Sequence, residues 1–192
     1  MVAANVIIVS GIGNSGPMWG TLMNPADQPD VIGVGGVDDD GRLADFSSRG
    51  MTSWELPDGY GRVKPDVLTY GTHVLGLSLQ VSAPVAPNCA SSPDVLTFGA
   101  HVLGLSLQGG CRALSGTSVA CPVVAGAIAL LASIVPEPRR WQLLNPGAIK
   151  QVLVESAHRL HRRSAYEQGA GTMDLLGAAQ VRALPIASTD GL

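Results

Sequence analysis

Aromatic residues are scarce in this chain of 192 residues, at 4% of the total. Its interior cannot rest on large rings and must be assembled from Ala, Val, Leu and Ile, with 24 glycines letting backbones approach. Charge is sparse too, at 14% of residues and a formal net of -3. No Lys/Arg cluster is long enough to track phosphates, which excludes a nucleic-acid partner on electrostatic grounds. His161-Arg162-Arg163 is the nearest thing to a basic patch and reads as a solvated helix end. Cysteine is limited to Cys89, Cys111 and Cys121, an odd number without metal-ligand spacing, so neither a disulfide framework nor a metal centre is expected. No cofactor motif is found.

What remains is 46% hydrophobic residues in a length suited to one domain with a real core. Small apolar residues and glycine in this proportion suit an α/β domain with buried parallel strands. Asn5 to Ser10 and Asp30 to Val34 have the form of buried strands. The first begins without a basic leader, as if the chain opened mid-domain. Asp38-Asp39-Asp40-Gly41 reads as a hairpin turn whose carboxylates are solvated rather than calcium-binding. Asn145-Pro146 offers a cap and first-turn proline for a helix to about His158, and a last helix is expected from about Met173 to Ala183. From Ala113 to Pro136 no residue is charged, long enough to cross a bilayer. Its small and polar residues favour a buried central helix over a membrane span.

An internal repeat interrupts this pattern. Residues 65–80 return as residues 93–108, differing only at Tyr70/Phe98 and Thr72/Ala100, with a Ser/Ala/Pro-rich loop from Val81 to Ser92 between them. Two copies cannot form a solenoid. One is surplus, as a duplicated exon or a mis-assembled gene model would leave it. The chain is divided into residues 1–184, one domain carrying the duplication, and a tail over 185–192.

Two segments carry the chemistry. Ser115-Gly116-Thr117-Ser118-Val119-Ala120-Cys121-Pro122-Val123-Val124-Ala125-Gly126 places Ser118 at a helix N-terminus, where free N–H groups favour a developing oxyanion. Pro122 is expected in the first turn, where a missing N–H is harmless. Val9-Ser10-Gly11-Ile12-Gly13-Asn14-Ser15-Gly16-Pro17 runs a strand into a small-residue turn. Together these segments resemble the nucleophile and oxyanion motifs of the subtilisin family of serine proteases. The resemblance implies Ser118 as nucleophile, the Asn14 amide and the Ser118 N–H as oxyanion donors, and Gly11, Ile12 and Gly13 as lining of the substrate pocket. It implies the C-terminal part of a doubly wound, mostly parallel sheet whose N-terminal half is missing and needed.

A narrower resemblance, to a membrane-anchored branch of the family in the secretory pathway, rests on further segments. They are Asn24 to Asp27, Val31 to Gly36, Phe46 to Thr52, Trp54 to Pro57, Gly59 to Arg62, Lys64 to Asp66 and Gly109 to Ser115. It implies a protein or peptide substrate cut after short motifs with an upstream Arg, and an endoplasmic reticulum or Golgi lumen for the full-length parent. The family's Asp-Ser/Thr-Gly and His-Gly-Thr motifs are absent from the 192 residues. Tyr70-Gly71-Thr72-His73 imitates the latter but puts Tyr70 where the imidazole belongs, so His73 and His101 are poor candidates for the base. Cys121 reads as a packed helix residue. The resulting expectation is a serine endopeptidase by descent, with a catalytically inactive fragment that only binds as its alternative.

Overall fold

Seven consecutive small or β-branched residues, Val31–Val37, form strand β2, and every one is buried. Such a run, apolar without alternation, is what a strand covered on both faces requires. In the computed structural model, which describes residues 4–53, 61–72, 74–76, 104–105 and 111–181, β2 is the middle of a three-stranded parallel sheet. Strand β1 (Ile8–Gly11) pairs with it from Ile8↔Val31, and β5 (Val67–Tyr70) pairs from Val34↔Val67 on the other side. The first strand starts three residues later than the sequence pattern suggests and is half-buried. Among the described residues β1 pairs only with β2, so its outer edge is open.

The Asp38 turn folds back as expected. The Asp38 N–H donates to the Arg42 carbonyl, and Leu43 bridges Val37 antiparallel. The Asp38 carboxylate accepts from the Asp40 and Arg42 N–H groups, and Asp40 pairs with Arg42 at 3.0 Å, so these charges hold the turn itself. Strands β3 (Gly50–Met51) and β4 (Val63–Lys64) form a small antiparallel ladder.

Helix α1 (Thr117–Ile134) lies on the sheet against β1, β2 and β5. It is the one described helix long and apolar enough to cross a membrane. Here Ala120, Val124, Ala127, Ile128 and Leu131 bury one stripe against Ile32, Val34 and Val67. The opposite stripe, including Leu130 at 50% and Ile134 at 43% exposure, faces outward. The expected buried helix is therefore buried on one face only. Pro122 stands five residues after Thr117, in the second turn rather than the first. Its missing N–H removes the donor that the Ser118 carbonyl would receive in a regular helix.

Helix α2 (Glu137–Leu143) is short and exposed. Helix α3 (Pro146–Ser156) starts as read: the Asn145 side chain accepts from the Ala148 N–H and Pro146 is the first helical residue. Helix α4 (Ala165–Gln168) begins with a reciprocal capping box between Ser164 and Glu167. Helix α5 (Leu175–Gln180) is shorter than expected, because the Asp174 side chain caps it at the Gly177 N–H and Val181 is extended. The loop from Val81 to Ser92 and the tail over 185–192 lie outside the described residues.

Each copy of the repeat supplies a strand. Residues Val74–Gly76 (β6) and Gly104–Leu105 (β7) flank β8 (Cys111–Leu114), both antiparallel to it, in the order β6-β8-β7.

Candidate active site

The carboxyl end of β1 runs straight at the start of α1. A Cβ on Gly11 would stand 2.8 Å from the Thr117 carbonyl oxygen and 2.9 Å from its Oγ1, so only glycine lets strand and helix meet this closely. Ile12 is fully buried, its N–H donating to the Val34 carbonyl at 2.9 Å and its carbonyl accepting from Met23 at 3.0 Å. Gly13 is buried as well: its N–H donates to Thr117 Oγ1 at 3.2 Å and its carbonyl accepts from Ser48 at 3.0 Å. Of the three residues expected to line a pocket, the structure sets Ile12 and Gly13 as supports and leaves Gly11 half-buried.

Asn14 follows, its residue exposed but its side-chain oxygen engaged. That oxygen accepts from the Thr117 N–H at 2.8 Å and from Thr117 Oγ1 at 3.0 Å. A backbone N–H can only donate, so the carbonyl end of the amide must face Thr117 and its NH₂ must face away. The Gly13 N–H, the Thr117 hydroxyl and the Asn14 oxygen form one donor-to-acceptor chain with a single consistent polarity. Thr117, at 2% exposure, had no role assigned from sequence, although it sits inside the Gly-Thr-Ser motif.

Gly116 turns the chain into α1 with φ +148 and ψ 160, a conformation open to glycine and closed to residues with a Cβ. Its N–H donates to the Gly71 carbonyl at 2.7 Å, anchoring the helix start to the end of β5. The point where its Cβ would stand lies 2.9 Å from Asn14 Nδ2 and 3.4 Å from Ser118 Oγ. The two atoms are thus within about 7 Å of each other, close enough for a carbonyl carbon in contact with the Ser118 hydroxyl to present its oxygen to the Asn14 amide. Ser118 is exposed in the first turn of α1, and among the described residues its N–H has no acceptor. A free N–H at a helix start beside an outward-facing amide is an arrangement that stabilises negative charge on a carbonyl oxygen.

Cys121 lies one turn further along α1 beside Gly11, where burial pushes its thiol above the ordinary range. At neutral pH it is a neutral packing residue rather than a thiolate. His73 and His101 lie outside the described residues. His158 is exposed and bonded through Nε2 to Asp174 Oδ2 at 3.0 Å. Among the described residues no group of three or more His, Cys, Asp or Glu could hold a metal ion.

The fold and this strand-to-helix junction define an α/β protein of subtilisin-like architecture. The chain belongs to the subtilase family: the family model described as "Subtilase family" matches residues 1–171. Among curated proteins it is similar to the subtilisin-like protease SBT6.1 of Arabidopsis thaliana, 50% identical over 181 residues, covering 94% of this chain and 15% of that protein. It is likewise similar to the membrane-bound transcription factor site-1 protease of Mus musculus, 52% identical, covering 94% of this chain and 14% of that one. The chain therefore spans about a seventh of the length of these relatives. Among solved structures it resembles the prenylagaramide maturation protease PagA, with a TM-score of 0.62 and 27% identity over 95% of this chain and 52% of that one. The patellamide maturation protease PatA gives 0.62 and 29%, over 92% of this chain and 51% of that one.

Proposed function

We propose that this chain is the nucleophile-bearing part of a serine endopeptidase. Ser118 Oγ attacks the scissile carbonyl carbon while its proton passes to a base. The Asn14 NH₂ and the Ser118 N–H receive the oxyanion, and the segment Gly11 to Gly13 shapes the pocket beside it. Collapse of the tetrahedral adduct releases the amine, protonated by the same base, and water then regenerates Ser118. The observation that carries this reading is the convergence of Asn14 Nδ2 and Ser118 Oγ on Gly116, from positions more than a hundred residues apart in sequence. The names of its relatives suggest membrane-bound transcription factors as substrates of the full-length parent.

The base comes from elsewhere in such a parent. None of the 192 residues forms the family's Asp or His motif. The open edge of β1 and the outward apolar stripe of α1 offer the surface on which a further sheet-forming segment would dock. The same sequence observation favours the second reading for this chain taken alone, a fragment that binds without hydrolysing.

A fluorophosphonate probe tests both. The isolated chain should remain unlabelled, because removing the histidine base costs a subtilisin about 10⁶ in turnover. A longer chain supplying the Asp and His motifs should be labelled at Ser118, and Ser118→Ala should abolish it. Stoichiometric labelling of the isolated chain at Ser118 would place a base within these residues. An unlabelled Ser118 in the completed, folded chain would remove it from the nucleophile role.

A further inference from the structure

The loop that carries His161-Arg162-Arg163 borders a cleft that the proposed chemistry does not use. Strand β5 runs from Val67 to Tyr70, toward Gly71 and the start of α1. The cleft opens at the other end of that strand, around Pro65 and Asp66, with a volume of about 480 Å³. Val63 of β4, Val154 and Ala157 at the end of α3, and Ala165 of α4 give it apolar walls. Val63 and Val154 are 39% and 38% exposed, so each still shows an aliphatic surface. The floor is tightly built. A Cβ on Gly169 would overlap the Pro65 carbonyl, so the end of α4 sits directly on this segment. The Ala170 N–H then donates to the Asp66 carbonyl at 3.0 Å.

The rim is the loop over residues 158–163, held by one buried side chain. Gln168 accepts the Leu160 N–H at 2.6 Å and donates to the Leu160 and Arg163 carbonyls at 3.2 and 2.8 Å. Arg162 turns the loop with φ 60, a left-handed conformation that glycine would adopt at less cost. The charges here are unbalanced. Asp66 is the one carboxylate lining the cleft, and Lys64, Lys150 and the Gly33 N–H already occupy both its oxygens. Arg159 lines the cleft as well. Among the described residues neither its guanidinium nor that of Arg162 has a hydrogen-bond or ion-pair partner. The carboxylates close by in sequence are engaged elsewhere, Glu167 with Arg49 and Arg163, Asp174 with His158 and the start of α5. Glu155 of α3 accepts from Gln151 Nε2 at 2.6 Å and does not line the cleft. A chain of net charge -3 thus presents uncompensated positive charge beside an apolar seat.

We infer that this cleft docks an acidic, aliphatic peptide segment of a partner protein. An aliphatic side chain enters between Val63, Val154 and Ala165, and a carboxylate next to it pairs with Arg159 in the forked geometry that guanidinium favours. Arg162 adds attraction at longer range, weakened by salt. Walls of valine and alanine make a seat for one such group, not a tunnel for an acyl chain. The site and Ser118 lie at opposite ends of β5, so a docked segment leaves the nucleophile uncovered. The site stands on the cleft and its charges alone, whether or not the chain hydrolyses peptides.

Titration of the isotope-labelled full chain with acetyl-Leu-Asp-Leu-Asp-amide, followed by NMR, tests this. The backbone signals of Ala157, Ala165, Gly169 and Ala170 should shift saturably, with a Kd of about 0.1–1 mM for one apolar anchor and one charge-assisted pair. The uncharged acetyl-Leu-Asn-Leu-Asn-amide should bind at least about fivefold more weakly. Arg159→Gln should weaken the acidic peptide by a similar factor, and Val154→Ser by about threefold, with native circular dichroism in both. Absence of saturable shifts at these residues up to about 5 mM peptide would overturn the proposal. So would equal affinity for the two peptides, or an affinity that Arg159→Gln leaves unchanged. Decanoate binding there more tightly than the acidic peptide would make it a site for lipid instead. The comparison of the two peptides uses the unaltered chain, so it decides the matter even if a variant fails to fold.

Discussion

Thr117 shows what a buried residue next to the proposed nucleophile contributes. Its N–H and hydroxyl hold the Asn14 oxygen at 2.8 and 3.0 Å, so the donor end of the amide is oriented before any substrate arrives. Replacing Thr117 by Val keeps the shape and removes one of the two donors, and Ser restores it. In a completed, active chain we expect Thr117→Val to lower kcat by about tenfold with KM little changed, and Thr117→Ser to recover most of it. A loss in Thr117→Ser with none in Thr117→Val would mean that the methyl group matters and the hydroxyl does not.

Lysine is the other residue-scale feature. The chain has only two, Lys64 and Lys150, and both bind Asp66, at 2.7 and 2.9 Å. Asp66 Oδ2 also accepts the Gly33 N–H at 2.7 Å, which ties this cluster to β2. Burial pulls the Lys64 ammonium down to about 8, against the attraction of Asp66. Its folded value is thus below the ordinary unfolded one of about 10.4. Below about pH 8 both states hold the proton, and this group adds no slope. Above it the unfolded chain holds a proton that the folded chain has released, so the Lys64 contribution to stability rises with pH, by at most about 1.4 kcal/mol per unit. Lys64→Met should lose that rise. It should also destabilise at neutral pH by about 2–4 kcal/mol, because the Gln28 and Val31 carbonyls each lose a donor and the buried Asp66 loses a charged partner. Urea unfolding of both proteins from pH 7 to 10 measures both effects. A wild-type slope surviving in Lys64→Met would assign it elsewhere.

At the scale of elements, α1 separates what its sequence shows from what it conceals. Its length and its start were legible, since a small-residue run follows Gly116-Thr117-Ser118 and hardly any other structure suits it. Its partial exposure was not, because apolar residues lie on all sides of the helix and no pattern marks which stripe meets the sheet. Leu130 and Leu131 are neighbours with opposite fates, 50% and 1% exposed. Leu131→Ala should cost about 2–4 kcal/mol, while Leu130→Ala in the isolated chain should cost under about 0.5 kcal/mol. Equal costs in denaturant unfolding would mean that the outer stripe is covered. The Asn145 cap of α3 was readable from Asn-Pro alone. The end of α5 was not, since Ala178 to Ala183 carries no stop signal and the Asp174 cap shifts the start instead.

At the scale of the molecule, the parallel sheet and the subtilisin-like junction follow from short local motifs, and the sequence was informative there. Beyond the pairing of Asn14 with Ser118 that the family resemblance implies, contacts between distant segments were not legible. Arg49 meets Glu167 at 2.6 Å while that same glutamate closes the capping box of α4, and Trp19 meets the edge of Tyr166 at 5.2 Å. These pairs fasten the loop after Asn14 and the residue before β3 to α4, and no spacing rule links residues 118 positions apart. The same holds for the Thr117–Asn14 bonds, visible only once strand and helix are brought together.

The central claim is that Asn14 and Ser118 serve one oxyanion, and steady-state kinetics of Asn14→Ala in a completed, active chain tests it most directly. An interaction made only in the transition state lowers turnover and leaves ground-state binding alone. The account predicts a fall in kcat of about 10²–10³-fold with KM within about twofold of the parent. A variant with unchanged kcat, or one whose whole loss is in KM, would contradict it.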